Sequence, residues 1–481
     1  MNAMTSAAIA AGLRQLGLAE GDIVLLHSSL ASVGLVEGGA AAVVQAFLDV
    51  LGGKGTLLAP TFEPGLGLIA EAIAKHPQAV QSIHPLACVA AIGAQAQELC
   101  RDHWKAETAH AEGTPYLRVA ERGGYVCLLG VDQDRNTTLH TAEALLKLPY
   151  LTTETRTFQT PEGTVTRSWN FFPGPHRDFI GLDPMLRASG KMKIGYIGNA
   201  MVRLIKSSDL IDLAVAAGSR NPAFVLCDNP NCPDCVAQKA AIRKALFASE
   251  KFSVAASAQL AGEFPDEIAA RCREAGITAV ELDGLQGRPL TMLPAEVVAD
   301  AVARLRAANL RVTALRCPAA SNKAADLIKL ASTLHVRRFV MPLSERAPHF
   351  AALARDHEIA ISFFNTDLDS DACSEILLGL QAQKLSAGFT FNGPGFARCG
   401  ELPFLASYKK KLRRFVDQLD VADATYDGTP RLLATGNAEI KEMISILRCA
   451  SFAGTMCLRS ERRLTTLPAA AESFAALLRQ M

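Results

Sequence analysis

A chain of 481 residues is longer than one ordinary hydrophobic core supports, so two domains of about 240 residues each are expected. Hydrophobic residues make up 49% of the chain and charged residues 20%, which fits a globular protein and excludes extended disorder. The 49 basic and 48 acidic residues leave a net charge of +1, so neither nucleic acid nor an anionic membrane is a predicted partner.

The amino-terminal segment MNAMTSAAIAAGLRQLGLAEGD predicts an amphipathic helix, because it contains Arg14 and Glu20 and lacks the charged start of a signal peptide. No apolar run approaches the roughly 20 residues that cross a bilayer. These features predict a cytoplasmic protein whose twelve cysteines are reduced. They leave open whether the chain associates into a homo-oligomer.

The first half of the chain alternates strands with helices and predicts an α/β domain. The predicted elements are a strand at Ile23–Leu26, a helix at Ala40–Leu51, a strand at Thr56–Ala59, a helix at Ala94–Asp102 and a strand at Tyr125–Gly130. A Thr-rich stretch from Tyr150 to Thr166 then predicts a β-hairpin.

The stretch Leu25–Gly34, with the sequence LLHSSLASVG, leaves the first strand and enters a turn that contains serine and glycine. Backbone N–H groups and hydroxyls at such a strand end can bind phosphate oxygens. An ordinary serine-capped turn has the same character and is the more common outcome. The segments APT (Ala59–Thr61) and HPLACVAAIG (His84–Gly93) can be interpreted in the same two ways, as ligand contacts or as ordinary loops.

The segment Gly130–Glu143, GVDQDRNTTLHTAE, follows a buried strand, where an α/β fold places catalytic groups. The run from Thr138 favours a helix start, so His140 and Glu143 would share one face at spacing i, i+3. A carboxylate beside an imidazole fixes its tautomer and raises its basicity, as deprotonation of an amine requires. The alternative is a structural histidine at a helix start, whose hydrogen bonds are made within the protein and which has no catalytic role.

Taken in order, HSSLASVG, PTF, HPLACVAAIG, TPYLRVAERGG, LLGV and NTTLHTAE resemble the antibiotic N-acetyltransferase family, which includes the aminoglycoside 3-N-acetyltransferases. The resemblance covers about residues 5–235. It implies an acyltransferase, of the kind associated with antibiotic resistance, that moves an acetyl group from acetyl-CoA to an amine of an aminoglycoside or related amino compound. The amine and the acyl-coenzyme A are therefore the expected small-molecule partners.

The resemblance also implies which residues form the site, because the family's HSSL-type loop and Pro-Thr element contribute to its acetyl-coenzyme A site. The implied coenzyme contacts are His27, Ser28, Ser29, Leu30, Val33, Gly34 and Thr61, with Arg118 as a phosphate or pantetheine contact. The family's essential histidine corresponds to His140, which would deprotonate the attacking amine with Glu143 as its partner. Thr138 is the predicted donor to the oxyanion.

Two positions depart from the family pattern: Thr114-Pro115 stands where Ser-Pro is common, and Cys88 stands where serine is usual. The acidic residues that bind aminoglycosides in the family match no motif in this chain. These departures bear on the identity of the acceptor more than on the chemistry.

Cys227, Cys232 and Cys235 lie close together in LCDNPNCPDC, at C-x4-C-x2-C spacing in a Pro- and Asn-rich loop. Three thiols with this spacing can surround a tetrahedral metal, so a structural zinc site is one prediction. No fourth ligand is evident nearby in the sequence, and a thiol-rich turn without metal is the alternative.

The domain boundary is predicted between Cys235 and Lys251, where VAQKAAIRKALFASE has the character of a helical connector, so the domains would span residues 1–238 and 251–481. Strands of the second domain are predicted over Phe252–Gln259, Ile277–Leu282, Arg311–Arg316, Arg338–Pro342, Ile359–Phe364, Leu385–Phe391, Val421–Tyr426 and Ala453–Leu458. Helical patterns lie between them. This alternation predicts a (β/α)8 TIM barrel, with a doubly wound open sheet as the alternative.

The second domain resembles the xylose-isomerase-like sugar phosphate isomerase/epimerase barrels through AGITAVEL (Ala275–Leu282) and a helix at Asn437–Ile446 before the last strand. Those enzymes hold a divalent metal with carboxylates and a histidine at the carboxyl ends of the strands. Glu281 fits this pattern, but the last strand, GTMCLRS, has Leu458 and Arg459 where the family has Glu. A degenerate barrel without ligand carboxylates is therefore expected. The alternatives for the whole chain are a non-catalytic ligand-binding or scaffold protein, or a sugar isomerase or epimerase activity in the barrel.

Overall fold

Two compact units make up the computed structural model, which describes residues 3–174 and 176–481. The first unit is Met1–Lys239 and the second unit is Ala240–Met481. Among the described helices, none combines the length and the apolar character needed to cross a membrane.

The first unit mixes helices and strands along the chain. Its helices are α1 (Ser6–Leu16), α2 (Leu30–Val33), α3 (Gly39–Leu51), α4 (Leu68–Ala74), α5 (Ala96–Cys100), α6 (Pro115–Glu121), α7 (Leu139–Leu145), α8 (Asp183–Ala188) and α9 (Ser207–Arg220). Its strands are β1 (Ile23–Ser28), β2 (Thr56–Pro60), β3 (Val80–Gln81), β4 (Val89–Gly93), β5 (Tyr125–Leu129), β6 (Thr152–Thr160), β7 (Gly163–Phe171), β8 (Lys193–Ile197) and β9 (Ala200–Lys206). Helix α10 (Pro233–Ser249) follows, where the sequence predicts a helical connector.

Seven strands of this unit form one mixed sheet in the order β3-β4-β2-β1-β5-β9-β8. Strand β1 pairs in parallel with β2 and β5, whereas the outer strands pair antiparallel with their neighbours. The carboxyl ends of β1, β2 and β5 therefore meet at one edge of the sheet. Only these three parallel strands are predicted from the sequence, because outer strands such as β4 (VAAIG) and β8 (KIGYI) contain Ala, Gly or Lys, which have low strand preference.

Helices cover both faces of the sheet because successive side chains of its central strands point to opposite sides and are apolar on both. Leu26 packs into a core layer with α1, α3 and α4, where Phe47 is fully buried. Leu25 packs into the opposite layer with α5 and α6, around Tyr116. Two separate apolar layers thus hold the central strands and fix where their ends lie.

Strands β6 and β7 form a separate antiparallel pair from Thr152 to Phe171, which confirms the predicted hairpin. Most of its side chains are exposed, and Trp169 is the buried exception at 1% exposure. The Trp169 indole N–H donates to the carbonyl of Ala106 at 3.1 Å. This hydrogen bond connects the hairpin to the segment that follows α5.

The second unit alternates strands with helices in a regular order. Its strands are β10 (Ser253–Ser257), β11 (Ala279–Leu282), β12 (Arg311–Arg316), β13 (Arg338–Pro342), β14 (Ala360–Phe364), β15 (Gly388–Asn392), β16 (Val416–Val421), β17 (Asp423–Ala424), β18 (Pro430–Arg431) and β19 (Thr455–Leu458). Its helices are α11 (Ala258–Ala261), α12 (Pro265–Ala275), α13 (Ala295–Ala307), α14 (Asn322–Thr333), α15 (Ala347–Asp356), α16 (Ser370–Ala382), α17 (Gly393–Arg398), α18 (Ile440–Cys449) and α19 (Leu467–Gln480), with a π-helical segment at Pro403–Leu412.

Strands β10 to β16 and β19 close into a barrel in which every neighbouring pair is parallel. This confirms the predicted eight-stranded barrel, is consistent with a TIM barrel and excludes the open sheet. The predicted seventh strand, Val421–Tyr426, is wrong, since β16 ends at Val421. Its sequence VDQLDV buries Gln418 and Asp420 at 1% and 2% exposure, so the strand lacks the apolar run that marks its neighbours.

Candidate active site

A cavity of about 730 Å³ opens in the first unit at the sheet edge where β1, β2 and β5 end. Four of the predicted coenzyme contacts line it: His27, Ser28, Ser29 and Leu30. Residues after β2 and after β5 complete its walls, as far as Thr137. The predicted catalytic residues Thr138, His140 and Glu143 are not among the described residues that line the cavity. Its nearest lining residue is Thr137, whose carbonyl accepts the N–H of His140 at 3.1 Å.

The other predicted coenzyme contacts are not among the described residues that line this cavity. Val33 is packed into the core at 1% exposure, and Gly34 ends α2 with a φ of 98°. The Thr61 hydroxyl lies 3.6 Å from the sulfur of Cys88, the residue before β4. The Arg118 guanidinium donates to three backbone carbonyls at the carboxyl end of α5, which it caps. Ligand contacts by these four residues stay predictions.

His27 is a neutral imidazole at the end of β1. It is 7% exposed, and its Nε2 has no hydrogen-bond partner among residues 3–174 and 176–481. Burial lowers the pKa of His27 to about 3, so the ring carries no charge at neutral pH. An unpartnered ring nitrogen beside a cavity is available to make one hydrogen bond to a ligand.

His140 and Glu143 both lie on α7, the short helix that follows β5. The spacing i, i+3 brings His140 Nδ1 to 2.5 Å from Glu143 Oε2. Nδ1–H donates to the carboxylate, which leaves Nε2 as the nitrogen that can accept a proton. Burial lowers the pKa of His140 below its usual value, although the Glu143 carboxylate opposes this shift. The ring is therefore uncharged at neutral pH and can accept a proton.

Glu143 is only 1% exposed, and two further side chains hold its carboxylate. The hydroxyl of Tyr150 and the Nε–H of Arg177 each donate to Oε1 at 2.7 Å. Burial alone would raise the pKa of Glu143, but the hydrogen bond from His140, the charge of Arg177 and the hydrogen bond from Tyr150 lower it below its usual value. Sequence reasoning misses both Tyr150 and Arg177. The helix α7 ends at Leu145, before Tyr150, and Arg177 lies 34 residues after Glu143.

Aromatic rings surround the imidazole of His140. The Phe172 ring stacks on it at a centroid distance of 3.6 Å and an angle of 4°, and the Phe179 ring meets it edge-on at 5.0 Å. His110 lies 5.2 Å away, and burial lowers its pKa well below the usual value, so this neighbour is uncharged. Glu143 and Arg177 are thus the charged groups that set the proton affinity of His140.

The predicted oxyanion donor, Thr138, directly precedes α7 and is fully buried. Its hydroxyl has no hydrogen-bond partner within the described part of the chain. Leaving a buried hydroxyl unpaired costs about 1–3 kcal/mol. A ligand that accepts this hydrogen bond would remove that cost, and the role of Thr138 as a donor stays a prediction.

Comparison with known proteins assigns this site to a family. The sequence profile described as aminoglycoside 3-N-acetyltransferase matches residues 25–66 and 63–217. Aminoglycoside N(3)-acetyltransferase IV of Salmonella sp is 32% identical over 231 residues, which cover 44% of this chain and 87% of that protein. Aminoglycoside N(3)-acetyltransferase VII of Streptomyces paromomycinus is 31% identical over 265 residues, which cover 44% of this chain and 91% of that protein. The chain belongs to the aminoglycoside 3-N-acetyltransferase family.

Membership of this family makes the chain an acyltransferase, which confirms the predicted enzyme class. The matched residues lie in the first unit, which is called the acetyltransferase unit below. The crystal structure of the apoenzyme of aminoglycoside acetyltransferase AAC(3)-IVa is also similar, with a TM-score of 0.45 and 29% identity over 51% of this chain and 98% of that one.

The acetyltransferase unit also contains a group of metal-binding side chains near its end. A histidine joins the three predicted cysteines, and the four ligand atoms lie within 4.8 Å of one another in His176, Cys227, Cys232 and Cys235. These four residues are called the Cys3His cluster below. The three thiols are free. The sequence predicts three ligands and no fourth, because the histidine is far from the cysteines along the chain.

The barrel of the second unit contains a cluster of paired charges. Three buried carboxylates, of Glu281, Asp283 and Asp420, converge there. Arg316 bonds Glu281 at 3.1 Å and Asp420 at 2.8 Å, and Arg459 bonds Glu281 at 2.7 Å and Asp283 at 2.6 Å. The degenerate barrel stays a prediction: Asp283 and Asp420 join Glu281, but all three carboxylates pair with arginines. The sequence alone does not single out Asp420, because the predicted seventh strand is misplaced.

A cavity of about 250 Å³ adjoins this cluster and is lined by Arg316, Asp420 and Arg459 among others. It lies where Ser257, Asn392 and other strand-end residues meet, which is the face that carries ligand sites in TIM barrels. The resemblance of the barrel to xylose-isomerase-like enzymes stays a prediction.

Proposed function

We propose that the acetyltransferase unit transfers an acetyl group from acetyl-coenzyme A to an amine of an aminoglycoside or related amino compound, with His140 as general base. The observation that carries this proposal is the hydrogen bond of 2.5 Å between a neutral His140 and a buried, ionised Glu143. The family to which the chain belongs supplies the reaction class.

Each step of the reaction uses a group that the structure provides. The amine nitrogen attacks the thioester carbon while His140 Nε2 accepts its proton, and Glu143 stabilises the imidazolium that forms. The tetrahedral oxyanion would accept a hydrogen bond from the Thr138 hydroxyl. The C–S bond then breaks, and the coenzyme A thiolate takes the proton from His140. The products are an amide and a free thiol, and no cysteine of the enzyme forms a bond.

We assign the cavity at the sheet edge to the two substrates. Its volume of about 730 Å³ falls in the range of about 300–1,000 Å³ that is typical of small-molecule sites. Hydroxyls of Ser28 and Ser29 and the free nitrogen of His27 are the polar groups that support coenzyme binding at the β1 end.

Acidic residues at the same cavity support a cationic acceptor. Glu63, Asp132 and Asp134 line it together with Arg135. Asp132 bonds Arg203 at 2.9 Å and Asp134 bonds Arg135 at 3.3 Å, so Glu63 is the lining carboxylate that has no ion pair among the described residues. An aminoglycoside carries several protonated amines, which such carboxylates attract. Two relatives of this chain are named for acetylation at N3 of aminoglycosides, which supports the same acceptor class.

The test is a thiol-release assay with acetyl-coenzyme A and a panel of aminoglycosides, amino sugars and simple amines. We expect turnover that falls about 10²- to 10⁴-fold in His140→Ala, the usual contribution of a general base. The matched control is His349→Ala, which removes an exposed histidine of the barrel. Equal turnover in His140→Ala and wild type would disprove the role of His140, and absence of coenzyme A binding would disprove the assigned activity.

The alternative of a metal-dependent sugar isomerase or epimerase in the barrel is not favoured by the charge cluster. A divalent cation needs free carboxylate oxygens. At the barrel, Glu281 and Asp420 already bond Arg316, and Asp283 bonds Arg459. A ligand-binding or scaffold role for the second unit stays a prediction.

A further inference from the structure

The Cys3His cluster has the ligand set and the spacing of a tetrahedral metal site. His176 Nδ1 lies 3.2 Å from the sulfur of Cys235 and 3.6 Å from that of Cys232. A zinc ion with bonds of about 2.3 Å to sulfur and about 2.0 Å to nitrogen places its ligand atoms about 3.5–3.8 Å apart. The observed separations therefore need only small adjustments to fit one ion.

The chemistry of the four ligands favours zinc over the harder cations. Thiolate and imidazole are its preferred donors, whereas magnesium and calcium select oxygen ligands. Cys232 directly precedes α10 and Cys235 lies in its first turn, so the start of one helix carries two of the three thiols.

The segment that carries His176 also forms the wall around the catalytic pair. Phe172 and Phe179 pack on the His140 ring, and Arg177 bonds Glu143. Arg177 also donates to the carbonyl of His176 at 2.6 Å, so the position of this guanidinium depends on the backbone of the candidate ligand.

Few other contacts fix this segment against the cysteine-bearing part of the chain. The N–H of Asp178 donates to the carbonyl of Val225 at 2.8 Å, and the side chain of Gln238 donates to the carbonyl of Pro173 at 2.9 Å. The backbone N–H of His176 donates to the carboxylate of Asp234 at 3.4 Å. His176 itself is exposed, so packing does not hold it. A metal bond to its ring would add a restraint on this side chain one residue before Arg177.

We propose that the Cys3His cluster binds one zinc ion and that this ion positions Arg177 against Glu143. The effect on catalysis rests on the proposed function, whereas the metal site itself does not. Zinc thus joins two stretches that are remote in sequence, and Arg177 acts as a positioning residue for the His140–Glu143 pair.

The metal site is tested on the full-length protein without any turnover. We expect about one zinc per chain by elemental analysis, and cobalt substitution should give the absorption bands of a tetrahedral, thiolate-bound ion. Cys232→Ser should lose most of this metal, and Cys449→Ser, which changes an exposed cysteine of α18, should keep it. Absence of zinc and cobalt binding by the reduced wild-type protein would overturn the proposal, as would a Cys232–Cys235 disulfide in protein purified under reducing conditions.

The positioning role is tested by comparing the zinc-loaded and chelator-stripped wild-type proteins. We expect stripping to lower kcat about tenfold, the scale of loss when a supporting contact of an active group is removed, with little change in KM for acetyl-coenzyme A. Arg177 lowers the pKa of His140, Glu143 raises it and His110 is uncharged. Displacement of Arg177 should therefore move the acidic limb of the kcat profile to higher pH.

The Arg177→Gln variant should bind zinc normally. It should also show the lower kcat and the shift of the acidic limb to higher pH that are expected of the stripped protein. An NMR titration of the His140 ring in the stripped and loaded proteins measures the same pKa change without any substrate. If stripping leaves kcat, the acidic limb and this titration unchanged, the positioning role is disproved. If no amine is acetylated but zinc still alters the titration, the proposed function fails and the metal inference stands.

Discussion

Two buried glutamates, one in each unit, show how similar surroundings give different chemical capacities. Glu143 of the acetyltransferase unit and Glu281 of the barrel are each 1% exposed, and each bonds an arginine. The second side chain that bonds each carboxylate differs between the two units. Glu143 also bonds the imidazole of His140, whereas Glu281 bonds a second guanidinium, that of Arg459.

This difference decides whether a proton can move. An imidazole gains or loses a proton near neutral pH, so Glu143 can stabilise a charge that appears and disappears during a reaction. Guanidinium groups stay protonated, so the cluster around Glu281 can hold charge but cannot transfer it. The carboxylate is common to both sites, and its partner determines whether the site supports acid–base catalysis.

The largest expected effect is on the stability of the barrel. Arg459→Met should leave Glu281 and Asp283 without one of their cations and cost about 3–5 kcal/mol, the usual penalty for breaking a buried ion pair. The measurement is denaturant unfolding followed by a probe of the second unit. Arg463→Met, at an exposed position, is the control and should change little. A fully stable Arg459→Met variant would show that the cluster is not held by charge pairing.

A matched pair of substitutions separates the two glutamates by function. Glu143→Gln should lower kcat about 10²-fold, because the amide cannot stabilise the imidazolium, and this loss cannot exceed that of His140→Ala. Glu281→Gln should leave acetyl transfer unchanged while reducing the stability of the barrel. Initial rates and thermal unfolding of both variants provide the measurement. Similar losses of rate in Glu143→Gln and Glu281→Gln would show that the two glutamates do not differ in their role in acetyl transfer.

The pH profile sharpens the assignment of His140. Because the base must be neutral, kcat/KM should fall about tenfold per pH unit below the pKa of His140. Burial places this pKa below the usual imidazole value, so the enzyme should keep its activity into mildly acidic solution. In the Glu143→Gln variant the acidic limb should move to lower pH, because the Glu143 carboxylate raises the pKa of His140. A limb that moves upward in that variant would contradict the proposed pairing.

The smallest expected effect concerns Tyr150. Tyr150→Phe removes the hydroxyl that donates to Glu143 Oε1 at 2.7 Å and leaves Arg177 on the same oxygen. We expect a loss of about 1 kcal/mol in transition-state stabilisation, or about fivefold in kcat, because one hydrogen bond of several is lost. Tyr196→Phe, at an exposed position, is the control for the loss of a hydroxyl.

Local sequence patterns predict much of the fold. The apolar runs at β1, β2 and β5 and the regular spacing of the barrel strands mark these elements, because burial on both faces leaves continuous apolar sequence. The same argument fails for β16, whose buried side chains include two polar ones. Asp420 is paired with Arg316, and the amide of Gln418 donates to Glu281. It also fails for β8, a short strand at the sheet edge with exposed residues.

Short spacings along the chain are enough to predict the alternation of strands and helices, the His140–Glu143 pair one helical turn apart, and the grouping of Cys227, Cys232 and Cys235. Long-range packing selects the remote groups that complete these sets. Arg177 reaches Glu143 and His176 reaches the cysteines because packing brings together segments that no periodicity relates. Helical and strand periods act over a few residues, whereas the partners of a buried charge are chosen by the whole fold.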